Sequence, residues 1–283
     1  MQTKRRSGPD VWESPERAEI LRRTADDHEE SSREETELLL EASGIVPGLR
    51  VLDLACGPGI PTLDIARRVG NAGTVVGADI SPRILEVARE RAHRAGLSNV
   101  EFRVANIEHL PFSDSSFDRV VCRCGVMFVE HLATGLGELY RVLRPTGRAG
   151  LMVWGSLDQP YVQGTIGVLL RHLRLPEPPA EGLRPFRFAA PGSLEAPLAA
   201  AGFAHVSGEE HVVKWIAHRT PEEARDEWRD GLVFWRPLAE QLPDGSSSPA
   251  WTEIAACFRR YYDGTTIRAP LTMRVVRGTR LAR

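Results

Sequence analysis

The stretch Val51-Leu52-Asp53-Leu54-Ala55-Cys56-Gly57-Pro58-Gly59 decides the fold. Its first six residues are an apolar run broken only by Asp53, and the run opens into a turn of small residues with Pro61 just beyond. Continuous apolarity, as opposed to alternation, is what a strand shows when helices cover both faces of a parallel sheet. The same signature recurs at Thr74 to Asp79, Arg119 to Cys124 and Ala149 to Trp154, and more weakly at Val100 to Ala105. Helical segments lie between. Ser81 and Pro82 make an N-cap and first helical residue, Ile84, Leu85, Ala88, Ala92 and Ala95 form one face, and Gly96 closes the segment. Leu132, Leu136, Leu139, Tyr140 and Leu143 repeat the pattern before an Arg144-Pro145-Thr146-Gly147 turn. Strand alternating with helix predicts an α/β, doubly wound parallel sheet.

Outward from this core the rhythm changes. From Ser14 to Ala42 dense charge surrounds Ile20, Leu21, Leu38, Leu39 and Leu40, the pattern of one or two amphipathic helices. These helices form either a lid arm or a solvated layer on the sheet. After Trp154 a Pro-rich stretch flanks a predicted helix at Val162 to Leu175, and Ser193 to Ala201 predicts another. Phe203 to Ile216 and Leu271 to Leu281 read as strands, separated by a segment too long for a hairpin loop and therefore a helical insertion. The expected division is 1–44, an N-terminal helical arm; 45–155, the ligand-binding core; 156–190, a helical insertion; 191–216 and 269–283, the remainder of the core; and 217–268, a helical cap.

Composition narrows the partners. A formal net charge of -2 over 283 residues gives no general basic field, so no nucleic-acid partner is expected. Cys56, Cys122, Cys124 and Cys257 form no CxxC pair, which argues against a zinc site or a disulfide framework, and no metal is expected. No apolar stretch of membrane-spanning length occurs and no apolar segment follows the basic N-terminal residues. A cytoplasmic protein without a membrane partner is the expectation.

The small-residue turn lets a ligand touch the backbone, and the helix start behind it offers free N–H donors. Asp79 ends the next strand about 20 residues later, where a carboxylate can accept both ribose hydroxyls of an adenosine. The two together indicate an adenosine-containing cofactor. A nicotinamide dinucleotide would want G-x-G-x-x-G, whereas here Ala55 replaces the first glycine and the third is missing. At this point the chain resembles the class I S-adenosylmethionine-dependent methyltransferases, in the branch with ubiquinone/menaquinone C-methyltransferases and natural-product methyltransferases. The resemblance is carried by VLDLACGPG (51–59), VVGADIS (75–81), VANIEHLPF (104–112), FDRVV (117–121) and LYRVLRPTGR (139–148). It implies a Rossmann-like sheet, mostly parallel with a C-terminal antiparallel strand pair, and S-adenosyl-L-methionine as cofactor. The cofactor-binding set it implies is Asp53, Ala55, Gly57, Gly59, Asp79, Ile80, Asn106, Ile107 and Arg123. Within it, Asp53 meets the methionine end, the backbone carbonyl near Arg123 accepts from its ammonium, and Asn106 and Ile107 take the adenine. The family has an acidic residue and a small one where Asn106 and Ile107 stand, but an amide oxygen and a backbone N–H can serve the same atoms.

Methyl transfer from a sulfonium is an in-line displacement, so alignment and exclusion of water supply most of the catalysis. His109, His131, His172 and Tyr161 are the candidates for a base if the acceptor holds a proton, and none is singled out. Met127, Phe128 and Trp154 are placed as pocket wall after the fourth strand and at the end of the fifth. The segment after Ile216 adds Trp228, Phe234, Trp235, Trp251, Phe258, Tyr261 and Tyr262, of which Trp235 and Tyr261 are the cap's expected pocket residues. These aromatics form either a lid over an apolar acceptor or a satellite core joining cap to sheet. The expected acceptor is a small hydrophobic or aromatic molecule. The rival functions are a cofactor-binding protein or cyclase without methyl transfer, and a nicotinamide oxidoreductase.

Overall fold

Every apolar run forms a strand of one seven-stranded sheet in the computed structural model, which describes residues 12–231 and 235–282. The strands are β1 (Arg50–Leu54), β2 (Thr74–Asp79), β3 (Val100–Val104), β4 (Phe117–Arg123), β5 (Leu143–Trp154), β6 (Ala204–Ala217) and β7 (Ile267–Thr279). They lie in the order β3-β2-β1-β4-β5-β7-β6. β1 to β5 pair in parallel, and β7 runs antiparallel to both β5 and β6. The winding direction reverses between β1 and β4, which leaves a crevice beyond their carboxyl ends.

Alternate residues of each central strand bury on opposite faces. Val51, Val75, Val121, Met152 and Val275 share one core with Leu39, Leu40, Ile65 and Val69. Leu52, Val76, Val120, Leu151 and Val276 share the other with Leu136, Leu139 and Leu198. The first face carries α2 (Arg33–Ser43) and α3 (Thr62–Val69), and the second carries α5 (Leu132–Val142) and α9 (Glu195–Ala200). α1 (Pro15–Ser31) and α4 (Pro82–Arg94) pack on each other, α1 also reaching β6. Ser14 and Ser81 cap α1 and α4, each followed by proline, and a Thr220–Glu223 capping box starts α10 (Pro221–Asp230).

Three expectations change. No helix joins β3 to β4: the loop 105–116 crosses instead, pinned by Arg141 of α5, which donates to the carbonyls of Phe112 (2.7 Å) and Leu110 (3.0 Å) and to Asp114 (2.8 Å). The Arg144–Gly147 turn lies inside β5 as an irregularity, with Leu143 opposite Phe117 and Arg148 opposite Arg119. Thr146 is left-handed there and donates to the Arg280 carbonyl. The helix expected at 162–175 is two, α6 (Pro160–Gln163) and α7 (Ile166–Leu173). They divide at Gly164, where a Cβ would collide with Cys257 Sγ at 1.8 Å. The rest of the insertions supply α8 (Ala180–Leu183), α11 (Arg236–Ala239) and α12 (Pro249–Arg259). Leu169, Leu238, Ile254 and Phe258 of these helices join the first core. Phe234 lies outside the described residues. Among the described residues no helix is long and apolar enough to cross a membrane, and no cluster of three His, Cys, Asp or Glu could hold a metal.

Candidate cofactor and acceptor site

The chain leaves β1 through a left-handed step, with φ of 53° at Ala55, 55° at Gly57 and 93° at Gly59. A non-glycine residue such as Ala55 accepts this conformation at a cost of about 1 kcal/mol, the kind of strain that gathers at functional sites. A Cβ on Gly57 would meet nothing within 4 Å, so the backbone there borders open space. At Gly125 the reverse holds. A Cβ would lie 2.4 Å from Ala55 Cβ and 2.8 Å from Cys122 Sγ, so only glycine lets the turn after β4 close against the turn after β1.

Two carboxylates face this turn. Asp79 Oδ2 accepts the Gly57 N–H at 2.9 Å and Oδ1 the Ser81 N–H at 3.0 Å. It therefore shapes the turn, and since a carboxylate offers about four acceptor positions, it keeps capacity for further donors. Burial raises its pKa, and the backbone donors from Ser81 and Gly57 oppose that. Asp53 is fully buried in β1. Thr62 donates to its Oδ2 at 2.6 Å, while Oδ1 has no partner among the described residues. Burial pushes its pKa up to about 7, against the Thr62 hydrogen bond and the Arg123 charge. An unpaired carboxylate oxygen beside an open backbone turn fits the cationic end of S-adenosylmethionine. Ile80 follows Asp79 with a half-buried side chain.

Asn106 and Ile107 occupy the loop after β3. Asn106 Oδ1 accepts the Glu108 N–H at 2.9 Å, which leaves one lone pair free. Glu108 in turn accepts the N–H groups of Glu130 (2.9 Å) and His131 (3.1 Å), which ties this loop to the start of α5. Arg123 was expected to matter through its backbone. Its side chain is in fact engaged, lying 3.4 Å from the buried Glu35 of α2.

Of the proton-acceptor candidates, His109 and His131 are exposed. His172 pairs with Glu253 at 3.0 Å beside Arg171. Only Tyr161 is buried at the strand ends, its ring 6.3 Å from that of Trp154. Burial, then the nearby Glu35, raises its phenol well above the ordinary range. Trp154 is the hub of an aromatic group that also meets Phe186 at 5.7 Å and Trp235 at 6.4 Å. Phe128 is half-buried and packs against Trp12 with tilted rings, their centres 5.6 Å apart. The structure separates two expected wall residues from this group. Met127 is fully buried within the second core, and Tyr261 borders a different depression of about 240 Å³ with Gln163, Arg171 and Cys257.

Several functional neighbours escaped the sequence reading. Arg91 of α4 donates to the Pro58 carbonyl at 2.7 Å and pairs with Asp26 and Glu29 of α1, so it fastens the arm to the turn. His28 of α1 is exposed, close to the charges of Arg123, Arg17 and Arg91. The one available signal was the spacing of Arg17, Thr24 and His28, which places them on one helical face.

The reversed-order sheet, with a small-residue turn after β1 and buried carboxylates at or next to the ends of two adjacent strands, is a Rossmann-like arrangement. Residues 45–152 match the family model described as a methyltransferase domain. Over 124 residues the chain is 40% identical to the ubiquinone/menaquinone biosynthesis C-methyltransferase UbiE of Hydrogenovibrio crunogenus, covering 44% of this chain and 49% of that one. Over 133 residues it is 40% identical to the methyltransferase GfsG of Streptomyces halstedii, covering 46% and 47%. The matches thus span about half the length of these curated relatives. The YcgJ protein of Bacillus subtilis shares the fold with a TM-score of 0.58 at 19% identity, over 89% of this chain and 100% of that one.

Proposed function

We propose that the chain transfers a methyl group from S-adenosylmethionine to a small hydrophobic or aromatic acceptor, quinone-like or a natural product. The observation that carries the reading is Asp53: a fully buried carboxylate with one oxygen unpaired, beside a backbone turn that borders open space. In this reading Asp53 and the backbone at Arg123 hold the methionine end, and Ala55, Gly57 and Gly59 let it approach the backbone. Asp79, with Ile80 beside it, accepts the ribose hydroxyls, and Asn106 and the Ile107 N–H take the adenine. When bound, the cofactor supplies an electrophilic methyl group on a sulfonium centre. Trp154, Phe186 and Trp235 exclude water and line the acceptor's side, with Phe128 on its edge. Of the three candidate histidines, His109 and His131 are exposed and His172 is paired with Glu253, so in this reading positioning does the work that a base would otherwise share. The quinone-related name of the Hydrogenovibrio relative supports an apolar acceptor.

The test has two parts. Molecules released from the purified protein are analysed by mass spectrometry, and the protein is then incubated with methyl-labelled S-adenosylmethionine and a panel of naphthoquinols, phenols and source-cell extract. The expected result is bound S-adenosylhomocysteine and label in an organic-extractable product. Bound cofactor with no labelled product from any source would overturn methyl transfer and favour a binding or cyclising protein.

A further inference from the structure

The N-terminal arm carries a half-buried cation for which the described residues provide no counterion. Arg17 stands in the first turn of α1, on the same helical face as Thr24 and His28. Its Nε is buried with no hydrogen-bond partner, and no carboxylate among the described residues pairs with its guanidinium. Burial, then repulsion from Arg236, lowers its pKa to about 10. The surrounding arginines are all engaged. Arg123 faces Glu35, Arg91 holds Asp26, Arg184 donates to the Phe128 carbonyl, Arg187 to that of Val129 and Arg236 to that of Asp230.

The neighbours of Arg17 locate it. Its guanidinium lies 5.8 Å from the centre of the Trp12 ring, and Trp12 leans on Phe128, just beyond β4. Arg236 follows Trp235, which meets Trp154. Arg17 therefore stands where arm, strand-end turn and cap converge, on the aromatic side of the site and apart from the Gly57–Asp79 turn. A buried N–H left without an acceptor is costly, and a guanidinium is the group best shaped to take a planar carboxylate in two parallel hydrogen bonds.

We propose that Arg17 is a specificity-determining residue that selects an acidic acceptor, an aromatic or apolar molecule bearing a carboxylate. The inference rests on the methyltransferase reading above. A carboxylate could also come from the methionine end of the cofactor, and the experiment separates the two sources.

Protein saturated with S-adenosylhomocysteine is titrated with 2-naphthoate and with 2-naphthamide, which share a ring system and differ in charge. The same is done for Arg17→Met and Arg17→Lys, with melting temperatures recorded. The acid is expected to bind about tenfold more tightly than the amide, the scale of one charge-assisted contact. Arg17→Met should abolish that preference and Arg17→Lys keep part of it, while S-adenosylhomocysteine affinity stays within about twofold. Equal affinities for acid and amide, no binding of either, or a preference that survives in Arg17→Met would overturn the inference. Collapse of S-adenosylhomocysteine binding in a folded Arg17→Met would assign the residue to the cofactor's carboxylate and also overturn it. If S-adenosylhomocysteine fails to bind the unaltered protein, the methyltransferase reading falls and this inference with it. Intact cofactor binding without acid preference removes this inference alone.

Discussion

Asp53 and Asp79 close adjacent strands, but burial leaves them in different states: both oxygens of Asp79 accept backbone donors, and one oxygen of Asp53 accepts none. Asp79→Ala should therefore weaken S-adenosylhomocysteine binding by roughly 1.5–3 kcal/mol, the scale of hydrogen bonds to a charged group, and loosen the Gly57 turn as well. Calorimetric titration reads this, and unchanged affinity in a folded variant would remove Asp79 from the site. Asp53 gives a prediction with a sign. Its pKa of about 7 lies above the ordinary 3.8, so its contribution to stability in the ligand-free protein is full below 3.8 and is lost as pH rises through 7. A cationic ligand favours the ionised form, so S-adenosylmethionine binding at pH 6 should release a proton and tighten as pH rises toward 7. Binding heats in phosphate and Tris should then differ, and the difference should vanish in Asp53→Asn; equal heats in the two buffers would contradict it. Both carboxylates were legible in the sequence because each lies at a strand end within a local motif. Glu35, His28 and Arg17 were not. They reach the site only through packing of α1 and α2, and a helix crowded with charge does not reveal which charges turn inward.

At the level of elements, the contact that joins arm to motif is Arg91, which touches Pro58 of the turn and Asp26 and Glu29 of α1. Arg91→Met keeps the apolar stem and removes three charge-assisted contacts. Because Asp26 is exposed and can return to water, the expected loss is about 2 kcal/mol, below the usual figure for breaking a buried pair. Chemical denaturation measures it, and limited proteolysis should show earlier cleavage within α1; an unchanged cleavage pattern would mean that α1 is held by its other contacts alone. Four of the five strands of the motif region were readable because each contains a largely apolar run, and β3, with Glu101 and Arg103 between its apolar residues, gave the weakest signal. The loop in place of a helix between β3 and β4 was not, although both ends of the explanation lay in the sequence. Leu110-Pro111-Phe112 and Leu139-Tyr140-Arg141 are distant segments, and only the fold brings the Arg141 guanidinium onto the Leu110 and Phe112 carbonyls.

Across the whole molecule, the cap and the sheet share one apolar core, with Trp235 against Trp154 and Phe186 and its indole N–H donating to the Gly182 carbonyl at 3.2 Å. The choice between lid pocket and satellite core thus turns on particular residues. Trp235→Ala should lower stability by about 3 kcal/mol, as large-to-small core changes do, and also depress acceptor turnover. Tyr261→Phe, at a separate depression, should change neither, and a Tyr261 variant with altered acceptor turnover would return that residue to the site. The cap's aromatic content was visible in the sequence, but which aromatics face the strand ends depends on contacts such as Gly164 against Cys257 that no local pattern encodes. The central claim is that the turn after β1 and the carboxylate after β2 hold S-adenosylmethionine, and a paired titration tests it most directly. The unaltered protein should bind S-adenosylhomocysteine at a single site and show no stabilisation by millimolar NAD, and Gly57→Val, whose side chain would fill the open space beside the turn and strain its left-handed backbone, should lose that binding. Stabilisation by NAD, or full S-adenosylhomocysteine affinity in Gly57→Val, would contradict the account.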